Sequence, residues 1–369
     1  MKLMHVTTVH PENDSRIYHK ELKSLSSIYD CALISQRKTD TIFHDIDYFP
    51  LRKPKNRFDR LMLQKDAYRI IKQYAPKIVH MHDPELILLA LILKLQGKTI
   101  IWDMHEDLSR QVMAKKWIPV YLRQIVSKIV SSTERIILPF FDALITVSPI
   151  FTKKYSWHKR VTEVRNLAKI EEFDLSDRNH FDIKDINSPI VLVYVGSISE
   201  ERGLKEMLSV TKKLHKSHKV LLKIAGPSLT NIQRQMIENT EGAEYVGWLD
   251  RRQLADLLYS SDIGLLVLYP TPNHQSTLAI KMFEYMAAGI PQITSNFPLW
   301  KDIIDETQSG ITVNPKSIQD IESAILTLIN NRNNSYNMGA RGRDAVVKKY
   351  NWQKESEKLT SLYRELDKL

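Results

Sequence analysis

Ten short apolar runs recur along the chain with helix-patterned segments between them. KLMHVTTV, CALIS, KIVHMH, KTIIWDM and ALITVS come first, then IVLVYVG, KVLLKIAG, DIGLLVL, PQITS and GITV. The intervening segments, such as RIYHKELKSL, DRLMLQKDAYRIIKQY and GLKEMLSVTKKLHK, place apolar residues at helical spacing. Strand and helix in regular alternation predict parallel sheets covered by helices on both faces. One stretch breaks the order: KIEEFDLSDRNHFDIKDINSP (169 to 189) is polar, acid-rich and closed by a proline, as linkers are. The sequence therefore predicts two doubly wound α/β domains, 1–168 and 189–350, a linker over 169–188, and a closing helix over 351–369 that crosses back to the N-terminal domain. A length of 369 residues suits two cores. Doubly wound sheets bind ligands outside the carboxyl ends of their strands, so two of them predict a shared ligand cleft.

Composition narrows the class. Apolar residues at 43% and charged residues at 26% are globular values. The N-terminal MKLMHVTTVHPEND turns polar too soon for a signal peptide, and the apolar run LILLALIL (86 to 93) is far shorter than the roughly 20 residues of a membrane span. A single cysteine, Cys31, leaves no internal disulfide and no CxxC pair, which fits a reducing cytoplasm. The net charge is +10, and residues 1 to 168 hold 28 Lys and Arg against 17 Asp and Glu, so the whole excess lies in the N-terminal half. Phosphorylated molecules or an anionic membrane are the expected partners; no nucleic-acid motif accompanies the charge, and nucleic acid is not expected. Within that half, MAKKWIPVYLRQIVSKIVSSTERIILPF (113 to 140) interleaves Lys115, Lys116, Arg123 and Lys128 with Trp117, Tyr121 and aliphatic residues. It reads as a peripheral contact with the inner face of the cell membrane, or as a helix packed on its own sheet.

The chemistry concentrates in DIGLLVLYPTPNHQSTLAIKMFEYMAAGIPQIT, a strand, loop, helix and strand. The small polar end of PTPNHQST is expected to cap the helix. A helix N-terminus at a strand's carboxyl end offers N–H groups and partial positive charge to a phosphate. Lys281 adds a full charge there, and Glu284, one turn on, has the acceptors for a ribose diol. A solvated ion pair on an amphipathic helix is the other use of such residues.

KMFEYMAAGIP resembles the nucleotide-sugar helix of glycosyltransferase family 4, the retaining group 1 glycosyltransferases of the GT-B fold. HVTTVHPENDSRIYHKELKSL, VHMHDPE, WDMHED, YVGSISEERGL, IAGP, EYVGWLDRRQL and YNWQKESEKLTSLYREL follow in that family's order. The resemblance implies a hexosyltransferase that takes a nucleoside diphosphate sugar, with UDP expected, and a glycan or lipid-linked glycan acceptor, in bacterial surface polysaccharide synthesis. It implies no metal and no cofactor. Glu284 becomes the second glutamate of a Glu-x7-Glu pair, on the ribose. The first is replaced by Ser276, which leaves His274, Gln275 and the backbone of Thr277 and Leu278 to hold the donor sugar. GSISEERG stands where GRxxxxKG is usual, so Gly196 and Ser197 line the donor and Arg202 shares the diphosphate with Lys281. His105 is implied to contact the sugar near the reacting carbon, and Gly247 and Trp248 lie at the turn near the base. Arg16 is assigned to the acceptor side, or else starts a helix and pairs with Glu12 or Asp14.

Two further readings stay open. His80, His82, Asp83, Asp103, His105, Glu106 and Asp107 have the donor set of a metal-dependent hydrolase, with His80 and His82 on one face of a strand. Ser276 and Ser197 suit a domain that binds nucleotide sugars without turnover.

Overall fold

The structure, a computed structural model, describes residues 1–37, 42–105, 107–115, 118–173 and 188–368. Glu106, Lys116, Trp117 and residues 174–187 of the expected linker lie outside the described residues. The chain divides into two units, Met1–Asn166 with Gln353–Leu369, and Leu167–Trp352.

In the first unit seven parallel strands run in the order β3-β2-β1-β4-β5-β6-β7. They are β1 (Lys2–Pro11), β2 (Asp30–Gln36), β3 (Asp47–Leu51), β4 (Ile78–Met81), β5 (Thr99–Met104), β6 (Ala143–Thr146) and β7 (Val161–Glu163). The chain winds outward from β1 and then returns to β4 on its other side, so the topological switch falls between β1 and β4. Strand alternation sorts their side chains. Met4, Val6, Val79, Met81, Ile100 and Trp102 share one apolar core. The intervening His5, His80 and Asp103 therefore point to the opposite face. There they are covered by the helical turns Ile17–Leu22 and by the helix Trp352–Asp367, whose Tyr363 is fully buried.

The second unit repeats the design with six parallel strands in the order β10-β9-β8-β11-β12-β13. These are β8 (Ile190–Val195), β9 (Val220–Ala225), β10 (Ala243–Gly247), β11 (Ile263–Leu266), β12 (Gln292–Ser295) and β13 (Gly310–Val313). Its switch lies between β8 and β11, and the helix Ile280–Ala287 packs Met282, Phe283, Tyr285 and Met286 into the core beneath. The expected pair of doubly wound parallel sheets is thus the observed fold. No helix among the described residues is long and apolar enough to cross a membrane.

Candidate functional site

In the second unit the candidate residues gather where β8 ends. Gly196 follows that strand with a φ of +121°, a conformation that favours glycine, and its N–H donates to the Ala225 carbonyl at 2.8 Å. The Lys281 side chain lies directly over it: a Cβ on Gly196 would come within 2.7 Å of Lys281 Nζ. The same ammonium stands 5.7 Å from the centre of the Tyr194 ring, and the Tyr194 hydroxyl donates to the Ser197 carbonyl at 2.7 Å. Burial, with the nearby Arg202 charge, pushes Lys281 down to about 8. Arg202 lies in the short turn Glu200–Arg202, closed by Gly203 at a φ of +73°. Burial also lowers His274, with Arg202 and Lys281 among the charges acting on it. Two cations are thus held close enough to repel one another, an arrangement suited to a polyanion.

Capping differs from the expectation. PTPNHQST forms its own short helix, Pro272–Ser276, capped by the Thr271 side chain, and the hydroxyls of Ser276 and Thr277 turn back to the carbonyls of Pro272 and Asn273. The helix Ile280–Ala287 begins at Ala279 with no side-chain cap. Leu278 is partly buried against the core, and Trp300 Nε1 donates to the Thr277 carbonyl at 2.8 Å.

Glu284 is buried, and its Oε1 accepts from Arg251 Nη1 at 2.8 Å. Arg251 also donates through Nε to Glu172 at 2.8 Å. The sequence reading missed Arg251, although GWLDRRQL carries the signal for it: Asp250 caps the helix Arg251–Tyr259 and sets Arg251 at its first position. Gly247 has a φ of +89°, and Trp248 beside it is 72% exposed.

The first unit holds a different assembly. Arg16 is buried, with Nε 2.9 Å from Glu21 Oε1, Nη2 3.2 Å from Asp103 Oδ2, and Nη1 donating to the Val164 carbonyl at 3.0 Å. The expected ion pairing with Glu12 or Asp14 is corrected: Asp14 Oδ1 instead accepts the backbone N–H groups of Arg16 and Ile17, at 2.8 and 3.0 Å. Against the opposing effect of burial, Arg16 and the neighbouring imidazoles hold Asp103 well below the usual carboxylate value.

His105 follows β5 with its side chain 20% exposed, its Nε2 3.1 Å from His82 Nδ1 and its ring stacked on that of His82. Burial pushes it down to about 4, so at neutral pH it is an uncharged imidazole. His10, also missed, approaches it at 5.7 Å between ring centres and bonds Asp14 through Nδ1 at 3.1 Å.

Only part of the hydrolase donor set assembles: one donor atom each from His82, Asp103 and His105 lies within 4.8 Å of the others, with Asp103 Oδ2 3.5 Å from His82 Nδ1 and 3.7 Å from His105 Nε2. Asp83 accepts from the Thr7 hydroxyl at 2.8 Å and from the N–H groups of Thr8 and Val9, which fixes the end of β1. Asp107 caps the helix Leu108–Ala114 and bonds Lys154 Nζ at 2.7 Å. His80 and His82 are also grouped with His5 and Glu21, which the sequence reading did not connect.

Comparison with known proteins accounts for both units. The family model described as glycosyl transferases group 1 matches residues 176–345, and that of glycosyltransferase family 4 matches residues 5–165. The glycogen synthase of Mycobacterium tuberculosis is 24% identical over 172 residues, 45% of this chain and 40% of that enzyme. The capsular polysaccharide biosynthesis glycosyltransferase CapM of Staphylococcus aureus is 24% identical over 206 residues, 54% of this chain and 52% of its own. The aligned stretch therefore spans about two fifths to half of these curated relatives. Among solved structures, Anabaena HepE in complex with UDP-glucose superposes with a TM-score of 0.74 at 12% identity, over 99% of this chain and 100% of that one.

Proposed function

The chain belongs to the group 1, family 4 glycosyltransferases of the GT-B fold, and we propose that it transfers a hexosyl group from a nucleoside diphosphate sugar to a glycan or lipid-linked glycan, retaining the anomeric configuration. The observation that carries this reading is the pair of cations at the end of β8. Cleaving the bond between sugar and phosphate leaves an oxocarbenium-like carbon and a diphosphate of rising negative charge. Lys281, set over Gly196, and Arg202 offset that charge from fixed positions, and Arg adds bidentate geometry. The desolvation that lowers Lys281 is a standing cost in the free protein. A bound diphosphate relieves it, and relieves it most when the leaving group is fully charged.

Glu284 is assigned to the ribose. Its Oε1 is committed to Arg251, so Oε2 is the oxygen left for the diol. His105, neutral at working pH, is assigned to a sugar hydroxyl as a hydrogen-bond partner and not as a cation. The acceptor hydroxyl attacks on the face the diphosphate leaves, and its proton passes to a departing phosphate oxygen; no carboxylate nucleophile and no metal enter this scheme.

UDP comes first among donors because HepE holds UDP-glucose, and a surface polysaccharide role is supported by CapM, whose name places it in capsule synthesis. Membrane contact has its own support. Along the helix Val120–Ile137, Val120, Tyr121, Ile125, Ile129 and Ile136 are all more than half exposed, beside Arg123, Lys128 and Arg135. The alternative, in which these residues pack on their own sheet, leaves that exposure unexplained.

Incubating the protein with a panel of nucleotide sugars and glycan acceptors tests the reading. Release of free nucleoside diphosphate that depends on acceptor is expected. Tight donor binding with no release under any pairing would favour the non-catalytic reading suggested by Ser276 and Ser197.

A further inference from the structure

Parallel register sets His5 of β1 beside His80 of β4, and the two-residue period of a strand brings His82 to the same face. The turns Ile17–Leu22 lay Glu21 over them. All four side chains are fully enclosed or nearly so, and one donor atom from each lies within 4.8 Å of the others. We propose that His5, His80, His82 and Glu21 bind one divalent transition-metal ion of the zinc class, as a closed structural site inside the first unit.

The hydrogen bonds around the cluster have the pattern of a metal's outer shell. Each imidazole is held from outside by one nitrogen: His5 Nε2 and His80 Nδ1 meet the Tyr363 hydroxyl at 3.0 and 2.8 Å, and His82 Nδ1 meets His105 Nε2 at 3.1 Å. The other nitrogens face the interior, where His5 Nδ1 and His82 Nε2 share a hydrogen bond that an ion would replace. His80 Nε2, 3.6 Å from Asp103 Oδ2, and Glu21 Oε2 make no hydrogen bond of normal length among the described residues, which is costly at such depth. Glu21 Oε2 lies 3.7 Å from His5 Nδ1 and 4.0 Å from His82 Nε2, and those two nitrogens are 2.9 Å apart. Ligands about 2.0 to 2.1 Å from a tetrahedral ion are separated by about 3.3 Å, so the spacings among His5, His82 and Glu21 bracket the requirement, and His80, within 4.8 Å of all three, closes in to complete it.

The chemistry agrees. Burial keeps all three imidazoles below their ordinary values. Burial also pushes Glu21 well above the usual carboxylate value despite Arg16. Four protein ligands and no exposed edge leave no position for substrate. The ion therefore ties β1, β4 and the covering turns together and fixes the ring of His82, on which His105 leans. This set keeps only His80 and His82 of the hydrolase reading and adds His5 and Glu21. It does not rest on the proposed transfer.

The test uses the full chain, stripped with a chelator and titrated with Co²⁺. The expected result is one Co²⁺ per chain with the intense visible absorption of a four-coordinate ion, bleached by one equivalent of Zn²⁺. Glu21→Gln and His5→Gln should abolish the band, while Lys281→Met, in the other unit, leaves it intact. X-ray absorption of the wild-type zinc form gives a readout that no variant's folding affects: three imidazole nitrogens and one oxygen. Failure of the folded wild type to take up either ion would overturn the site in favour of a metal-free hydrogen-bonded cluster. An ion coordinated mainly by water oxygens, or a band that survives in folded Glu21→Gln, would overturn it by placing the ion elsewhere.

Discussion

Raising the pH from 7 to 9 should weaken nucleoside diphosphate binding about tenfold, through Lys281 alone. The free protein holds this lysine at about 8 because the ammonium is buried and shares its surroundings with Arg202. The diphosphate binds the charged form, so affinity is complete below that value and is lost as pH rises through it. At pH 9 roughly nine in ten free molecules have a neutral Lys281, against roughly one in ten at pH 7, and the ratio gives about a tenfold change in Kd. Stability moves the other way. An unfolded lysine titrates near 10.5, so between about 8 and 10.5 the unfolded chain binds more protons, and the second unit gains stability as pH rises. Calorimetry with UDP at pH 7, 8 and 9, in buffers of different ionisation enthalpy, reads both the affinity and the proton taken up on binding. Lys281→Arg, charged throughout, should flatten the profile, and so should Lys281→Met at a weaker overall affinity. A wild-type profile already flat from pH 7 to 9, or a slope that persists in both variants, would refute the argument.

Gly196→Ala places a methyl group against the Lys281 ammonium at a φ of +121°, so kcat should fall at least tenfold; in a Lys281→Ala background the same change should cost far less, as a double-mutant cycle reveals. Glu284→Ala should raise KM for the donor severalfold with kcat little changed, since a ribose contact acts on ground and transition states alike; equal losses in kcat and kcat/KM would move Glu284 to the reacting end. His105→Ala should lower kcat while calorimetry finds UDP affinity unchanged, and loss of UDP binding would remove His105 from the sugar. Co-sedimentation should show binding to anionic vesicles that fades with salt and is absent on neutral lipid, and Tyr121→Ser with Ile125→Ser should weaken it; equal pelleting with both lipids would exclude an electrostatic membrane contact.

What the sequence reveals is what has a short period. Alternating strand and helix patterns locate the strands, and the parallel, doubly wound sheets follow from them, because local apolar spacing reflects which faces are buried. Partnerships between distant segments have no such trace. His5 and His80 are 75 positions apart and meet only because β1 and β4 pair in one register. Glu284 and Arg251 are joined by a single ion pair between two helices, and neither residue type nor spacing announces it. Arg16 offered nearby acids in sequence, Glu12 and Asp14, but its guanidinium reaches Asp103 on β5 instead. The capping expectation failed for a local reason: the proline at position 272 is favoured at the start of a helix, and PTPNHQST folded into one of its own. The helix over 120–137 has amphipathic spacing, which cannot say whether its apolar side meets a sheet or is left uncovered.

The helix that carries Tyr363 has a consequence for how the protein is made. The phenol that bonds both His5 and His80 belongs to residues 353–368, yet its partners lie on two central strands of the first unit. On the ribosome those strands emerge early and must wait, with a polar, histidine-lined face covered only by the Ile17–Leu22 turns, while the whole of Leu167–Trp352 is synthesised. The unit begun first is therefore the one finished last, and the intervening unit has every contact it needs before its predecessor does.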